Sequence, residues 1–251
     1  MINLKNLNII LTGATGVIGN TILDNLMSAG AHVIATGTNE EKLRKIQDKY
    51  EDLNAIKLNL SDHGKIDEFV EDCAKIFSNK IDVLINNAGI TKENKKNIEK
   101  SFKIFDETIN INLAAPYQIS VLVADALKKN KNGGTIINIS SIGGELGFPD
   151  NPAYISSKTG LIGLTKSFAR DYGKYNINVN AVLPGYFNTD MNKRSFNNKS
   201  KRQKRSDLTM LNRWGKMEEL VGTIVFLASD EAKYITGQKI IIDGGIVSKG
   251  L

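Results

Sequence analysis

A tyrosine and a lysine in the second half of the chain have the types and spacing needed for proton transfer. Tyr154 and Lys158 lie four residues apart in a segment with helical periodicity, so both side chains project from one helix face. An ammonium near a phenol favours the phenolate, and we expect Lys158 to lower the pKa of Tyr154 from about 10 toward neutrality. A tyrosine with a lowered pKa can act as a general acid or base at a carbonyl or alcohol oxygen.

Two further polar residues complete this candidate catalytic set. Ser141 follows a predicted strand, thirteen residues before Tyr154, and its hydroxyl can hold the same substrate oxygen. Asn112 lies within a long predicted helix, where we expect it to distort the helix and anchor a water chain. Alone, each has an ordinary explanation, such as a surface Tyr-Lys pair or a serine in a turn. The prediction depends on the order and spacing of all four residues.

A glycine-rich turn near the start of the chain predicts a dinucleotide site. Residues 12–19 read TGATGVIG, between a predicted strand and a predicted helix. Glycines allow the backbone to approach a pyrophosphate, and the helix start presents free N–H groups to it. An ordinary strand-to-helix turn is the alternative. The contacts expected from this turn are those of Gly13, Thr15, Gly16, Ile18 and Gly19.

The end of the second predicted strand indicates the type of dinucleotide. NAD sites usually place an acid there to bind ribose hydroxyls, but residues 36–39 read TGTN. The hydroxyl groups of Thr36 and Thr38 and the amide of Asn39 instead favour the 2′-phosphate of NADP(H) over NAD(H), helped by Lys42 or Arg44. Further contacts are expected after the third and fourth predicted strands, from Asn59, Leu60, Asn87, Ala88 and Gly89.

Alternating strands and helices connect these motifs. Strands are predicted at 7–12, 32–36, 54–58, 81–85, 134–140, 177–183 and 238–243, and helices near 17–29, 40–50, 62–78, 99–129, 152–174 and 216–229. Such alternation predicts an α/β domain with a mostly parallel sheet covered by helices on both faces. We expect one domain over 1–251. The polar segment 91–100, the segment 142–152 and a lid at 186–214 are expected to select the substrate.

Composition excludes several classes of protein. With 41% hydrophobic residues and a single cysteine, Cys73, the chain has no internal disulfide, and no apolar run reaches the roughly 20 residues of a membrane span. The N-terminal segment does not resemble a signal peptide, which predicts a cytoplasmic protein. His32 and His63 are isolated in the sequence, so no metal site is expected.

The net charge of +6 comes from one segment. Seven basic residues lie between 193 and 205 without an acid, and the remaining chain carries 26 basic and 27 acidic residues. Phe196 is the only aromatic residue within the run. Nucleic-acid-binding surfaces usually place several aromatic residues among their basic ones, so we expect no nucleic-acid partner. The run either neutralises an anionic substrate or is a solvated loop. Its members are Lys193, Arg194, Lys199, Lys201, Arg202, Lys204 and Arg205.

Together the motifs resemble the single-domain branch of the short-chain dehydrogenase/reductase family over essentially the whole chain. The resemblance is carried by TGATGVIG (12–19), NNAG (86–89), Asn112, Ser140-Ser141, Tyr154-x-x-x-Lys158, Pro184-Gly185 and Thr189-Asp190-Met191. It implies a Rossmann-type, doubly wound sheet of seven parallel strands and NAD(P)-dependent interconversion of a carbonyl and a secondary alcohol. It also implies a homotetramer formed through helices 99–129 and 152–174 and the last strand.

The resemblance also implies residue roles. Tyr154 is the general acid/base, Lys158 lowers its pKa and binds the nicotinamide ribose, Ser141 orients the substrate oxygen and Asn112 completes a proton relay. Contacts to the nicotinamide are implied for Pro184, Gly185 and Thr189. The first motif departs from the branch's usual TGxxxGxG, because Val17 stands where a glycine is expected.

The substrate remains open between two classes. NNAGIT, INISSIGG and AYISSKTGLIGLTKSFARD resemble bacterial 3-oxoacyl-acyl-carrier-protein reductases, whose acidic carrier requires a basic docking surface. Lys128, Lys129, Lys131 and Lys174 fall where that subfamily carries docking arginines. In contrast, PGYF (184–187) and NRWG (212–215) resemble gluconate- and nucleotide-sugar-oxidising relatives. A non-catalytic dinucleotide sensor is a third possibility, disfavoured by the complete catalytic set.

Overall fold

The computed structural model describes residues 2–92 and 98–249, and within these ranges seven strands form one parallel sheet. The strand order is β3-β2-β1-β4-β5-β6-β7. Strands β2 and β3 are added on one side of β1, and β4 to β7 on the other, so the strand order reverses between β1 and β4. Ligands in such sheets bind where the strand order reverses, beyond the carboxyl ends. The strands are β1 Asn8–Leu11, β2 His32–Gly37, β3 Asn54–Lys57, β4 Val83–Asn86, β5 Gly134–Ile139, β6 Ile177–Pro184 and β7 Lys239–Ile242.

Helices cover both faces of the sheet. Successive β1 residues alternate between two apolar cores: Ile9 and Leu11 face α1, α2 and α9, and Ile10 faces α3, α5 and α6. The doubly wound fold predicted from the sequence is confirmed. The helices are α1 Val17–Ser28, α2 Glu40–Lys49, α3 Ile66–Ile76, α4 Ile98–Ile109, α5 Ala115–Leu127, α6 Pro152–Tyr172, α7 Lys193–Asn197, α8 Lys199–Asp207 and α9 Met217–Ala228.

The long helix predicted at 99–129 is interrupted. Between α4 and α5, residues Asn110–Ala114 form a π-helical turn that contains Asn112. Pro116, in the first turn of α5, has no N–H to donate to the carbonyl four residues earlier, which favours the wider turn. The expected distortion at Asn112 is therefore confirmed.

The structure describes the segments expected to select the substrate to different extents. The basic insertion at 186–214 contains two short helices, α7 and α8, which were not predicted. Of the segment 91–100, residues 93–97 lie outside the described residues. No helix in the described part of the chain combines the length and apolar character needed to span a membrane.

A buried chain of amide and hydroxyl groups connects the middle strands to α6. Asn86 Nδ2 donates to Asn138 Oδ1 at 2.9 Å and to Ser120 Oγ at 3.0 Å. Asn138 Nδ2 in turn donates to Thr165 Oγ1 at 3.0 Å. All four residues are buried, so each bond replaces contacts with water that the folded chain cannot make. This chain fixes α6, which carries Tyr154 and Lys158, relative to β4 and β5.

We predict that Asn138→Ala lowers the free energy of unfolding by about 3 kcal/mol, because it removes one buried hydrogen bond each from Asn86 and Thr165 and leaves a cavity in place of the amide. Thr135→Ala lies on the same strand, and the Thr135 side chain makes no hydrogen bond among the described residues, so this change is expected to cost less than about 1 kcal/mol. Chemical denaturation of both variants measures the difference. Equal losses would show that the polar chain contributes no more than an ordinary strand side chain.

Candidate active site

A cavity of about 340 Å³ lies beyond the carboxyl ends of the strands, where the strand order reverses. Most residues predicted to bind the cofactor line it: Gly13, Thr15, Gly16, Ile18, Gly19, Thr36, Thr38, Asn59, Leu60, Asn87, Ala88, Gly89 and Thr189. The sequence analysis missed the lining residues Val17, Gly37, Leu58, Ile90, Ile111, Asp190 and Met191. Most of these are apolar, and only adjacency to a predicted residue could have indicated them.

Two glycines of the first turn are required by close backbone contacts. Gly13 has a φ of +69°, and a Cβ there would lie 2.7 Å from Ala88 Cα. A Cβ on Gly19 would lie 2.1 Å from the Gly13 carbonyl oxygen. Gly16 has no such constraint, since its nearest neighbour would be 3.6 Å away. It is the N-cap of α1 and forms no side-chain cap bond, which leaves the first amides of the helix directed at the cavity.

The departure from the usual glycine spacing does not disturb this turn. Val17 is the first residue of α1 and lines the cavity. The turn is held to the loop after β4 by Thr12, whose Oγ1 accepts hydrogen bonds from the amides of Asn87 at 3.0 Å and Ala88 at 3.1 Å. Asn87 Nδ2 donates back to the Thr12 carbonyl at 2.9 Å. The two cofactor-binding turns therefore form one rigid wall.

The end of β2 presents hydroxyl groups rather than an acid. Thr36 and Thr38 line the cavity, and a Cβ on Gly37 would lie 2.6 Å from the Thr15 side chain. Asn39, which was also expected to face the phosphate, instead caps α2, where its Oδ1 accepts from the Lys42 amide at 2.9 Å. Its capping role follows from its position immediately before the helix.

Asn112 fixes the loop after β4 to α6. Its Oδ1 accepts from the Ile90 amide at 2.8 Å, and its Nδ2 donates to the Ile90 carbonyl at 2.9 Å and to Ser157 Oγ at 3.1 Å. The Ser157 hydroxyl donates to the Tyr154 carbonyl at 2.7 Å. A Cβ on Gly89 would lie 3.3 Å from both Asn112 Oδ1 and Lys158 Nζ, so both groups pack against this glycine.

Lys158 is a buried ammonium with one backbone partner. Its residue exposure is 5%, and its Nζ donates to the Ile139 carbonyl at the end of β5 at 2.8 Å. The same nitrogen lies 5.8 Å from the centre of the Tyr154 ring. Because burial disfavours the charged form, it lowers the pKa of Lys158 to about 8.

The pKa of Tyr154 differs from the sequence expectation. Burial raises it, and the opposing effect comes from a hydrogen bond with Ser141 rather than from Lys158. The ammonium lies against the ring and is bonded to the Ile139 carbonyl, so desolvation of the phenol outweighs its charge. Ser141 Oγ also accepts from the Gly143 amide at 3.0 Å, which orients the hydroxyl.

Four residues predicted to contact the cofactor are not among the described residues that line the cavity. Tyr154 and Lys158 belong to the catalytic set, and Pro184 is the buried last residue of β6. Gly185 follows it, and its amide donates to the Ile242 carbonyl at 2.9 Å. A Cβ on Gly185 would lie 2.6 Å from Asp243 Cα, so packing against the end of β7 explains this glycine.

Other candidate chemistries find no support in the described residues. They contain no group of three or more His, Cys, Asp or Glu side chains placed to hold a metal ion. Cys73 is buried in α3, and burial raises the pKa of its thiol to about 12, which removes it as a nucleophile at neutral pH. The phenol of Tyr154, the hydroxyl of Ser141 and the ammonium of Lys158 remain the candidate catalytic groups.

Comparison with known proteins places this geometry in a family. A family model described as enoyl-(acyl carrier protein) reductase matches residues 13–247. A 3-oxoacyl-[acyl-carrier-protein] reductase of Rickettsia felis is 38% identical over 252 residues, covering 98% of this chain and 99% of the relative. The chain belongs to the short-chain dehydrogenase/reductase family.

Further members of this family match with similar coverage. The Thermotoga maritima 3-oxoacyl-[acyl-carrier-protein] reductase is 38% identical over 242 residues, 95% of this chain and 96% of the relative. The solved structure of 4-hydroxyisoleucine dehydrogenase complexed with NADH has a TM-score of 0.91 at 33% identity, covering 98% and 100% of the two chains. The solved structure of a gluconate 5-dehydrogenase of Burkholderia cenocepacia, in complex with NADP and tartrate, has a TM-score of 0.89 at 27% identity. The match covers 99% of this chain and 98% of that chain.

We predict that Asn112→Ala lowers the free energy of unfolding by about 3 kcal/mol and weakens dinucleotide binding, because the loop at Ile90 loses both side-chain bonds. The matched control is Asn110→Ala in the same π-helical turn, whose exposed side chain is expected to contribute less than about 0.5 kcal/mol. Denaturation and fluorescence titration measure the two effects. Equal dinucleotide affinity in both variants would contradict the positioning role.

Proposed function

We propose that this enzyme reduces a 3-oxoacyl thioester, carried by an acyl carrier protein, to the 3-hydroxy form at the expense of NADPH. The observation that carries the proposal is the cluster of partly exposed Tyr154 with buried Ser141, Lys158 and Asn112, beside a cavity lined by the glycine-rich turn. The names of the Rickettsia and Thermotoga relatives supply the substrate class.

The residues of the cavity fit a nicotinamide dinucleotide. Gly13 and Gly19 allow close backbone approach, and the amides at the start of α1 suit a pyrophosphate. Asn59, Leu60 and Thr189 line the same cavity, which supports the proposed contacts of Asn59 and Leu60 with the adenine and of Thr189 with the nicotinamide. When bound, the dinucleotide supplies or accepts the hydride.

In the proposed mechanism the protein handles the proton and the substrate oxygen. The Ser141 hydroxyl, oriented by the Gly143 amide, holds the carbonyl oxygen. Tyr154 donates its phenolic proton to that oxygen, and its raised pKa keeps the phenol protonated for this step at neutral pH. Lys158, bonded to the Ile139 carbonyl, binds the nicotinamide ribose, and Asn112 anchors the water chain that returns a proton to Tyr154.

A gluconate-type dehydrogenase is the second candidate. The similarity to solved gluconate dehydrogenases favours it, and one of these contains NADP and tartrate, an anionic polyol. The identities of 27–30% to these structures are lower than the 38% to the carrier-linked reductases. A substrate panel of acetoacetyl thioesters, gluconate and nucleotide-linked sugars distinguishes the two candidates, and we expect turnover of the thioester.

We further propose NADPH as the preferred cofactor. Support comes from the hydroxyl groups of Thr36 and Thr38 at the end of β2, where no acid faces the ribose, and from the exposed cations Lys42 and Arg44 nearby. The solved relatives include one with NADP and one with NADH, so the preference is a property to be tested in this chain.

The remaining expectations are proposals of the same kind. We propose a single cytoplasmic domain over 1–251, with a substrate lid at 186–214, that assembles as a homotetramer. The family match over 13–247 supports a single domain. The apolar residues Ile98, Phe102 and Phe105 form an exposed face of α4 at helical spacing, which supports contact between copies through this helix.

We predict that Tyr154→Phe reduces turnover by about 10²-fold or more while dinucleotide affinity stays within about twofold, because only the transferable proton is lost. Tyr117→Phe serves as the matched control, since Tyr117 is exposed and stacks on Phe168. Steady-state kinetics with acetoacetyl thioester and fluorescence titration measure both quantities. Turnover by the Tyr154 variant at the parent rate would show that another group moves the proton.

We predict that Thr38→Asp weakens NADPH binding by about tenfold or more and leaves NADH binding equal or stronger, since a carboxylate repels a 2′-phosphate and accepts bonds from ribose hydroxyls. Thr38→Ser keeps the hydroxyl and is expected to behave like the parent. Titration with both dinucleotides tests this, and tighter NADH than NADPH binding by the parent enzyme would refute the cofactor preference.

A further inference from the structure

The basic run of 193–205 divides into two sets with different surroundings. Arg202 lies 5.3 Å above the Phe196 ring, and Arg205 lies 4.8 Å above Tyr186 and 5.8 Å from Trp214. The indole nitrogen of Trp214 donates to the Arg202 carbonyl at 3.1 Å. The two arginines therefore fix α8 to the aromatic residues beneath it.

The other five cations face solvent, and we call them the cationic face. All five are exposed, and within residues 2–92 and 98–249 none of them makes an ion pair. No acid occurs between residues 191 and 206 to neutralise them. The cationic face consists of Lys193, Arg194, Lys199, Lys201 and Lys204.

This arrangement opposes the stability of α8. Lys199 and Lys201 lie in the first turn, where the helix dipole disfavours positive charge, and no acid is present there. Lys201 and Lys204 are three residues apart and repel each other across the helix surface, although Lys204 itself lies in the last turn, where the helix dipole favours positive charge. Charges that destabilise their own helix, without a partner in the described chain, indicate a requirement of function.

The cationic face lies next to the candidate active site. Met191 lines the cavity, is half exposed and precedes α7 by two residues. Beyond the end of α8, Leu208, Met210 and Leu211 are each at least half exposed. A partner bound here would meet positive charge first and a small apolar cluster beside it.

The basic residues expected to dock a carrier are partly engaged elsewhere. Lys128 Nζ pairs with Asp125 at 2.7 Å and lies 5.1 Å above the Tyr172 ring, and Lys174 lies 5.1 Å above the Tyr175 ring. Their charges are thus partly compensated within the chain. The cationic face offers the larger uncompensated charge.

We propose that the cationic face of α7 and α8 is a docking surface for the acidic carrier protein that delivers the acyl thioester. The inference rests on the proposed function, since it assigns a partner to the same site. Docking there places the thioester beside Met191 at the mouth of the cavity. Because the partner is recognised by charge, its association weakens as salt is added.

An anionic membrane is the other macromolecule that a basic helix attracts. A membrane-binding helix buries an apolar face in the lipid, with its cations along the opposite face. The inward side of α8 is instead covered by Trp214, Tyr186 and Phe196. An acidic protein surface therefore fits the cationic face better.

The test compares two variants of equal charge change. The first replaces every member of the cationic face with Gln. The control also replaces five residues with Gln, all of them exposed lysines that form ion pairs with acids. These lysines are Lys45, Lys65, Lys75, Lys80 and Lys233. Each is assayed with acetoacetyl groups carried by an acyl carrier protein and by free pantetheine.

We expect the first variant to raise KM for the carrier-linked substrate by about tenfold or more, with kcat and the pantetheine KM unchanged and the salt dependence flattened. The control is expected to match the parent enzyme. An unchanged carrier KM, or an equal rise for both substrates, would overturn the proposal. The proposal would also be overturned if the first variant lost binding to phosphatidylglycerol vesicles while its KM for the carrier-linked substrate stayed unchanged.

A failure of the proposed function is distinguishable from a failure of the docking surface. If the parent enzyme turns over neither thioester, the reductase assignment fails. Direct binding of the carrier protein to the parent and to both variants then tests the surface alone. Equal affinity of the cationic-face variant and the control would overturn the docking surface.

Discussion

The burial of one ammonium group constrains the whole site. Lys158 Nζ lies in a nearly closed position with the Ile139 carbonyl as its partner, and its pKa falls to about 8. A buried ammonium is costly unless its surroundings supply polar partners. The end of β5, the loop at Gly89 and the π-helical turn at Asn112 all converge on this group. The parallel sheet is the element that brings them together.

The same burial acts on both members of the tyrosine-lysine pair in opposite senses. It raises the pKa of the Tyr154 phenol and lowers that of the Lys158 ammonium, so both neutral forms become more accessible. A protonated tyrosine suits reduction of a carbonyl, because it can give its proton to the developing oxyanion. The hydrogen bond with Ser141 partly opposes this rise in the pKa of Tyr154.

Much of the fold was predictable because the local pattern and the global fold agree. The central strands are apolar runs buried on both faces, as in β1, where Ile9 and Ile10 enter opposite cores. Thirteen of the predicted cofactor residues line the cavity, since turns after parallel strands share one sheet edge. Asn112 was expected to distort the long helix predicted around it, and the π-helical turn lies at this position.

Other features depend on tertiary contacts and were not predicted. The pKa of Tyr154 depends on how far its phenol is removed from solvent, and residue spacing in the sequence does not show this. Helix α8 is stabilised by Arg205 and Arg202 against aromatic residues, and the sequence showed only a run of charge. In each case packing decided the outcome.

Direct titration of the Lys158 amine tests the central claim most directly. Protein labelled with nitrogen-15 lysine is titrated by heteronuclear NMR without dinucleotide, and Lys158→Met assigns the signal. The account predicts a midpoint at pH about 8, because burial penalises the charged amine. A midpoint near the ordinary lysine value of 10.5 would show that the amine is solvated, and the arrangement of Tyr154 and Lys158 described above would be contradicted.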